Sequence, residues 1–198
     1  MGKQDVIIDG IKFSIPDYYQ RVDSMPDDPP SSIPYMVQTE NALCFVLLFK
    51  IRPNEALPMN KQVMIDSIHG FLGDRQGLIE VNQGVDYIYS IVKTVKEPSG
   101  VQYVLTFQQI INGNIFNIQA YFDEIGTTGI RDNMVLAKLQ QDGVVGSKDN
   151  PFEGWFGDPY DASYKNGILK NLSEDEQFDE YFPGFPLSMC REFLKTII

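Results

Sequence analysis

The chain is short of histidine, cysteine and basic residues, and each shortage excludes a class of function. It has one His and two Cys in 198 residues. A zinc site needs about three or four ligands at recognisable spacing, which His69, Cys44 and Cys190 cannot supply. Cys44 lies in the apolar run Ala42–Phe49 and Cys190 in a helical pattern near the end, so both read as free, buried, small hydrophobes rather than a disulfide pair. Lys and Arg number 16 against 27 Asp and Glu, a formal net charge of −11. That balance opposes the basic stripe with which proteins displace counterions from phosphate, so nucleic acid and anionic membrane surfaces are not expected partners. Such acidity reads either as solubility through self-repulsion or as electrostatic steering toward a basic partner.

Long hydrophobic runs are missing too. No stretch approaches the roughly 20 apolar residues that span a bilayer, and no basic, apolar leader opens the sequence. Membrane insertion is not expected; the expected location is cytoplasmic, or extracytoplasmic if a leader precedes this sequence. The opening Met1–Val6 lacks the Ser or Thr of a myristoylation signal. Gly70, Gly73, Gly77 and Gly84 have neither the Gly-x-Gly-x-x-Gly spacing nor a following Lys-Ser/Thr to cradle phosphate. The acidic stretches 23–28 and 173–180 lack the alternating ligands and central Gly of a calcium loop. No cofactor and no metal are expected.

What remains is the grammar of an α+β protein. Val6–Ile15 alternates around a turn at Asp9-Gly10 and ends at Pro16, which predicts an opening hairpin. Pro26, Pro29, Pro30 and Pro34 make the next stretch a surface loop. Strands are predicted over 35–38 and 42–51, the second so uniformly apolar that it belongs at the centre of a sheet. Asn60 caps a helix with Val63, Met64, Ile68, Phe71 and Leu72 on one face, closed by Gly73. Strands over 78–81, 87–96, 101–111 and 115–122 follow, with hairpin turns at Pro98–Gly100 and Asn112-Gly113 that make the sheet antiparallel. Thr127 or Thr128 would cap a helix carrying Ile130, Met134, Val135 and Leu139. In the tail, Ser173 and Glu176 have capping-box spacing, Pro183 and Pro186 rigidify a joint, and Ser188 or a neighbour opens a last helix.

This element order, with the opening Phe13-Ser-Ile-Pro-Asp-Tyr-Tyr19, resembles the PsbP/Mog1-like superfamily over roughly Val6 to Leu139. The resemblance implies an antiparallel sheet sandwiched between helices. It also implies a non-enzymatic role, since members include photosystem assembly factors, a Ran-binding protein and adaptor chaperones of bacterial secretion systems.

The expected fold is therefore an α/β/α sandwich over 1–145, with 146–198 a linker and helical extension packed on it. The tail's aromatic residues are too many to leave in water at about 25 cal/mol per Å²; they dock on this chain's own sheet or on another chain. Trp155, Phe156, Tyr160, Tyr164 and Phe185 are the candidate partner-binding residues, because clustered aromatics make hot spots. His69 falls three residues after Asp66 on one helix, a spacing at which a carboxylate can orient an imidazole for acid–base work, although no nucleophile is visible. Two functions are weighed. One is a non-catalytic binding module, adaptor or chaperone, that holds a basic or apolar segment on an exposed sheet face or tail-bordered groove, in bacterial secretion or in neutralising a basic toxin. The other is a hydrolase using Asp66 and His69.

Overall fold

Alternating residues and an Asp9-Gly10 turn, both with left-handed backbone (φ 49° and 78°), fold the N-terminus into the predicted hairpin of β1 (Lys3–Ile8) and β2 (Ile11–Pro16). The computed structural model describes residues 2–198, so Met1 lies outside it. The main sheet has seven antiparallel strands: β3 (Gln20–Arg21), β4 (Ile33–Gln38), β5 (Ala42–Ile51), β6 (Gln76–Gln83), β7 (Tyr87–Val95), β8 (Val101–Ile111) and β9 (Asn114–Glu124). Their spatial order is β3-β4-β5-β9-β8-β7-β6. Three helices, α1 (Lys61–Phe71), α2 (Ile130–Gln141) and α3 (Pro186–Ile197), complete an α+β fold in which helices flank an antiparallel sheet. None of the described helices is long and apolar enough to cross a membrane.

The pleat of the sheet separates two cores. Ala42, Cys44, Val46 and Leu48 of β5, with Phe116, Ile118 and Phe122 of β9 and Leu105 and Phe107 of β8, face one way. The first hairpin and α3 cover them, contributing Phe13, Ile15, Tyr19, Leu187, Met189 and Phe193. Each large side chain buried there contributes about 1.5–3 kcal/mol. On the other face α1 packs Met64 and Ile65 over Leu78, Val81 and Ile88 of β6 and β7. A third cluster joins α2 to the tail through Val135, Trp155 and Phe182.

Several local details differ from the sequence reading. The helix at 61–71 is capped by Asn60 as predicted, its side chain accepting from the Val63 amide at 3.0 Å, but it stops at Phe71, before Gly73. Helix α2 starts from Gly129 in the left-handed region, with no Thr side-chain cap. Helix α3 starts at Pro186, whose fixed φ and missing N–H suit a first helical position, so Ser188 lies inside the helix. The capping box of the tail is Asn171 with Glu174 around the 3-10 turn Leu172–Glu174, not Ser173 with Glu176. The Ser173 hydroxyl is taken by the Asp132 carboxylate, and Glu176 is paired with Lys195 at 2.7 Å.

The tail is fastened by buried charges. Glu174 accepts from Lys93 Nζ at 2.8 and 3.0 Å, from the Tyr103 hydroxyl at 2.8 Å and from the Asn171 amide at 2.7 Å. Arg131 of α2 donates to the Ser173 carbonyl (2.8 Å), to Ser188 Oγ (2.8 Å) and to Asp179 (2.9 Å). Arg191 of α3 donates to Glu80 (3.0 Å), Asp179 (3.2 Å) and the Glu174 carbonyl (2.8 Å). Burial alone would pull the Arg191 guanidinium's pKa down; Asp179 and Glu80 more than offset this and hold it above its ordinary value.

Between the short pair β10 (Phe156–Gly157) and β11 (Lys170–Asn171), residues 158–168 form a strap along the edge of β6. The Tyr160 hydroxyl accepts from the Val81 amide (2.6 Å) and donates to the Val81 carbonyl (3.0 Å), and the Ile168 amide donates to the Gln76 carbonyl at 2.8 Å. A Cβ at Gly77 would run into the Ile168 carbonyl oxygen, so glycine is what lets the strap approach. The strap thereby satisfies backbone groups that an edge strand would otherwise present to other chains.

Two outcomes follow from this packing. A chain ended at Gly157 loses α3 and uncovers Cys44, Phe122 and Tyr19; it is expected to aggregate or to melt well below the full chain, and an unchanged melting temperature would remove the tail from the core. Burial pushes the Cys44 thiol up to about 12 and the Cys190 thiol well above its ordinary value. A thiol reagent at about pH 8 should therefore modify neither of the two cysteines until denaturant is added, because only the thiolate reacts; rapid modification of the native protein would contradict this burial.

Candidate functional site

The uniformly apolar strand β5 is near the centre of the sheet, as expected, yet the chain covers only one of its faces fully. Ala42, Cys44, Val46 and Leu48 enter the core beneath α3; on the other face Leu47 is buried, while Leu43, Phe45 and Phe49 stay half-exposed. The register sets Phe45 between Met36 of β4 and Tyr121 of β9, then continues through Val104 of β8 to Val92 of β7. A second row runs Pro34, Leu47, Gln119, Thr106, Ser90. Tyr121 and Val104 are half-buried and Met36 is 39% exposed, because among the described residues no helix lies over this part of the sheet.

Helix α1 covers only the β6–β7 end of this face. The segment after β5 crosses beside it, held by buried Gln108, which accepts from the Leu57 amide at 2.7 Å. Between α1 and the sheet lies a cleft of about 340 Å³ with Leu57, Met64, Ile68 and Leu72 on its walls and Val92 and Thr106 on its floor. No charged side chain lines it, and Phe71 stands at its rim 88% exposed. Since Val92 and Thr106 are register neighbours of Val104 and Ser90, the cleft floor adjoins both rows, of which the first is the open one; Pro34, Leu47 and Ser90 of the second are buried. The result is a mixed face: the row Met36, Phe45, Tyr121, Val104 is apolar with an aromatic centre, Gln119 and Thr106 lie beside it, and an uncharged groove runs along one side.

The five aromatic residues singled out from the tail do not form one patch. Trp155 is 3% exposed and packs with Val135, Val145 and Phe182, and Phe185 is half-buried in the same cluster. Tyr160 is spent on the β6 edge, and Tyr164 stacks on the His69 ring at 4.0 Å while donating to the His69 carbonyl at 3.2 Å. Phe156 alone is open, 52% exposed, beside Phe152 and a cleft of about 230 Å³ lined also by Lys170 and Asp175.

The paired Asp66 and His69 do not meet. Asp66 accepts from the Gln62 amide group at 2.9 Å, whereas His69 Nε2 contacts Asp158 Oδ2 at 2.9 Å and fastens the strap to α1. Neither lines the groove, and no nucleophile joins them in these contacts. No cluster of three or more metal-capable side chains occurs among the described residues.

An exposed sheet face is anticipated from sequence, but not its residues, because a strand apolar on both sides reads as covered on both sides. A signal was present in its neighbours. Gln102, Thr106 and Gln108 of β8, with Asn117 and Gln119 of β9, make that face more polar than the one beneath α3.

No family model matches the chain, and no curated protein matches it. Among solved structures it is similar to a point mutant of the protein Mog1 (12% identity, TM-score 0.43, covering 70% of this chain and 85% of that one). It is likewise similar to the Saccharomyces cerevisiae Ran-binding protein Mog1p (12%, 0.40, 72% and 84%) and to the cyanobacterial PsbP of Synechocystis (15%, 0.39, 70% and 88%). The likeness is distant, and no role and no residue is carried over from it.

Proposed function

We propose that the protein is a non-catalytic protein-binding module, of adaptor or chaperone type, that holds a basic, apolar-faced segment of a partner protein on the open sheet face beside α1. The observation that carries this reading is the row Met36, Phe45, Tyr121, Val104 running into an uncharged cleft. Contiguous apolar surface of this kind on a folded chain marks an interaction site. The net charge of −11 favours a basic partner and speeds its approach. Strand addition at the β6 edge is blocked by the strap, which leaves the face rather than that edge for binding. Two cellular settings fit this chemistry, shielding of a cargo in bacterial secretion and neutralisation of a basic toxin, and the product of the neighbouring gene distinguishes them. A cytoplasmic location belongs to the same proposal.

Exposed Phe156 is the competing anchor, so the test separates the two surfaces. A protein captured from lysate of the source organism should bind wild type and Phe156→Asp equally and be lost with Phe45→Asp. Removing a central aromatic anchor costs about 2 kcal/mol or more, which is over tenfold in affinity. Capture should also weaken as salt is raised. Capture that survives Phe45→Asp in a variant with native circular dichroism, or no captured protein at all, would overturn the assignment.

A further inference from the structure

A cavity of about 450 Å³ lies where the turn of the first hairpin meets the proline-rich loop and the end of β5. Ile7, Ile8, Ile33 and Ile51 border it, Ile7 exposed and Ile8 turned mostly into the core, and its charged groups are Asp9, Lys50 and Arg52. Ser31, also at its border, has left-handed backbone at φ 62°, which for a residue other than glycine is uncommon and concentrates at ligand sites. The volume falls in the range of about 300–1,000 Å³ that small-molecule sites occupy.

The charges decide what would fit. Lys50 Nζ is 3.2 Å from Asp9 Oδ2 with both side chains well exposed, a contact that contributes little and opens easily. Arg52 makes no ion pair among the described residues. The acid nearest to it in sequence, Glu55, is turned onto the Arg52 backbone amide at 3.0 Å, where it caps a 3-10 turn. Two cations therefore meet one acid over four isoleucines, in a chain whose net charge is −11. A guanidinium binds a carboxylate through two parallel hydrogen bonds, and an apolar body beyond the carboxylate is what the isoleucines would desolvate.

We infer that this cavity binds a small carboxylate with an aliphatic body, its carboxylate held by Arg52 and Lys50 and its chain packed on Ile7, Ile8, Ile33 and Ile51. The inference does not depend on the partner-binding reading, since Phe45, Tyr121 and the α1 cleft take no part in it. The carboxylate is that of a free acid or of a peptide C-terminus, and two probes separate these sources. Isoleucine methyl groups of the full chain are labelled and followed by NMR during titration with octanoate and with N-acetyl-Ala-Ala-Ile as free acid. Saturable shifts are expected at the four wall isoleucines with at least one of them: octanoate alone points to a free acid, the peptide alone to a C-terminus. Octanol and the peptide amide should bind far more weakly. Arg52→Gln should weaken binding roughly tenfold. Asp9→Asn should tighten it, and Asn-Gly is itself a favoured sequence for this hairpin turn. No saturable shift at these methyls with either carboxylate, or equal affinity in Arg52→Gln, would overturn the site.

Discussion

Among the charges that tie the tail to the sheet, the carboxylate of Glu174 is the most deeply buried, and the Arg191–Glu80 pair, the strap and the packing of α3 act beside it. At 1% exposure the Glu174 oxygens have lost their water and need partners from the protein, because desolvating such a group costs several kcal/mol even after relaxation. Lys93 of β7, Tyr103 of β8 and the Asn171 amide supply them. Burial, then the neighbouring Glu174 charge, pushes the Tyr103 phenol far above its ordinary value, so it stays a donor at any physiological pH. Around this point Arg131 and Arg191 share Asp179, linking α2, α3 and the 3-10 segment Glu176–Tyr181. Charges so placed fix one geometry and penalise others, which is how a loop-rich tail of Gly, Pro and aromatic residues acquires a defined path.

That path determines which surfaces remain. Once the tail delivers α3 over β5, β9 and β8, the face beneath it is closed, and the strap closes the β6 edge. Only α1 is left for the opposite face, and an 11-residue helix covers two strands of it. The open row around Phe45 and Tyr121 is thus a consequence of helix supply: one face receives a helix and a hairpin, while the other receives one short helix and a crossing segment. The binding surface and the closed core are two results of the same distribution.

Much of the frame was legible in the residues. Turn chemistry at Asp9-Gly10 and Asn112-Gly113 gave two hairpins, Asn60 gave the start of α1, and the apolar run at 42–51 gave a central strand. The caps of α2 and of the tail were misplaced by a few residues, because candidate capping side chains stood close together and tertiary contacts chose among them. Ser173 went to Asp132, which left Asn171 to cap. The ion network was not legible at all. Lys93 sits in a strand, 81 residues from Glu174, and nothing local marks either as buried. His69 illustrates the same limit: the neighbour three residues away was Asp66, but the fold brings Asp158, 89 residues distant. The candidate surface was half legible, since a sheet face was anticipated without the residues that form it, whereas Trp155 serves the interior.

The claim that Glu174 secures the tail is tested most directly by a double-mutant cycle with Lys93, read by urea denaturation of Lys93→Met, Glu174→Gln and the pair. Each single change strands a buried group and is expected to cost about 3–5 kcal/mol. The double variant should lose clearly less than the sum, with a coupling of about 1 kcal/mol or more. A double variant that folds where a single one does not would demonstrate the same coupling. Single losses below about 0.5 kcal/mol that simply add would contradict it, and the tail would then owe its place to the Arg191–Glu80 pair, the strap and the packing of α3.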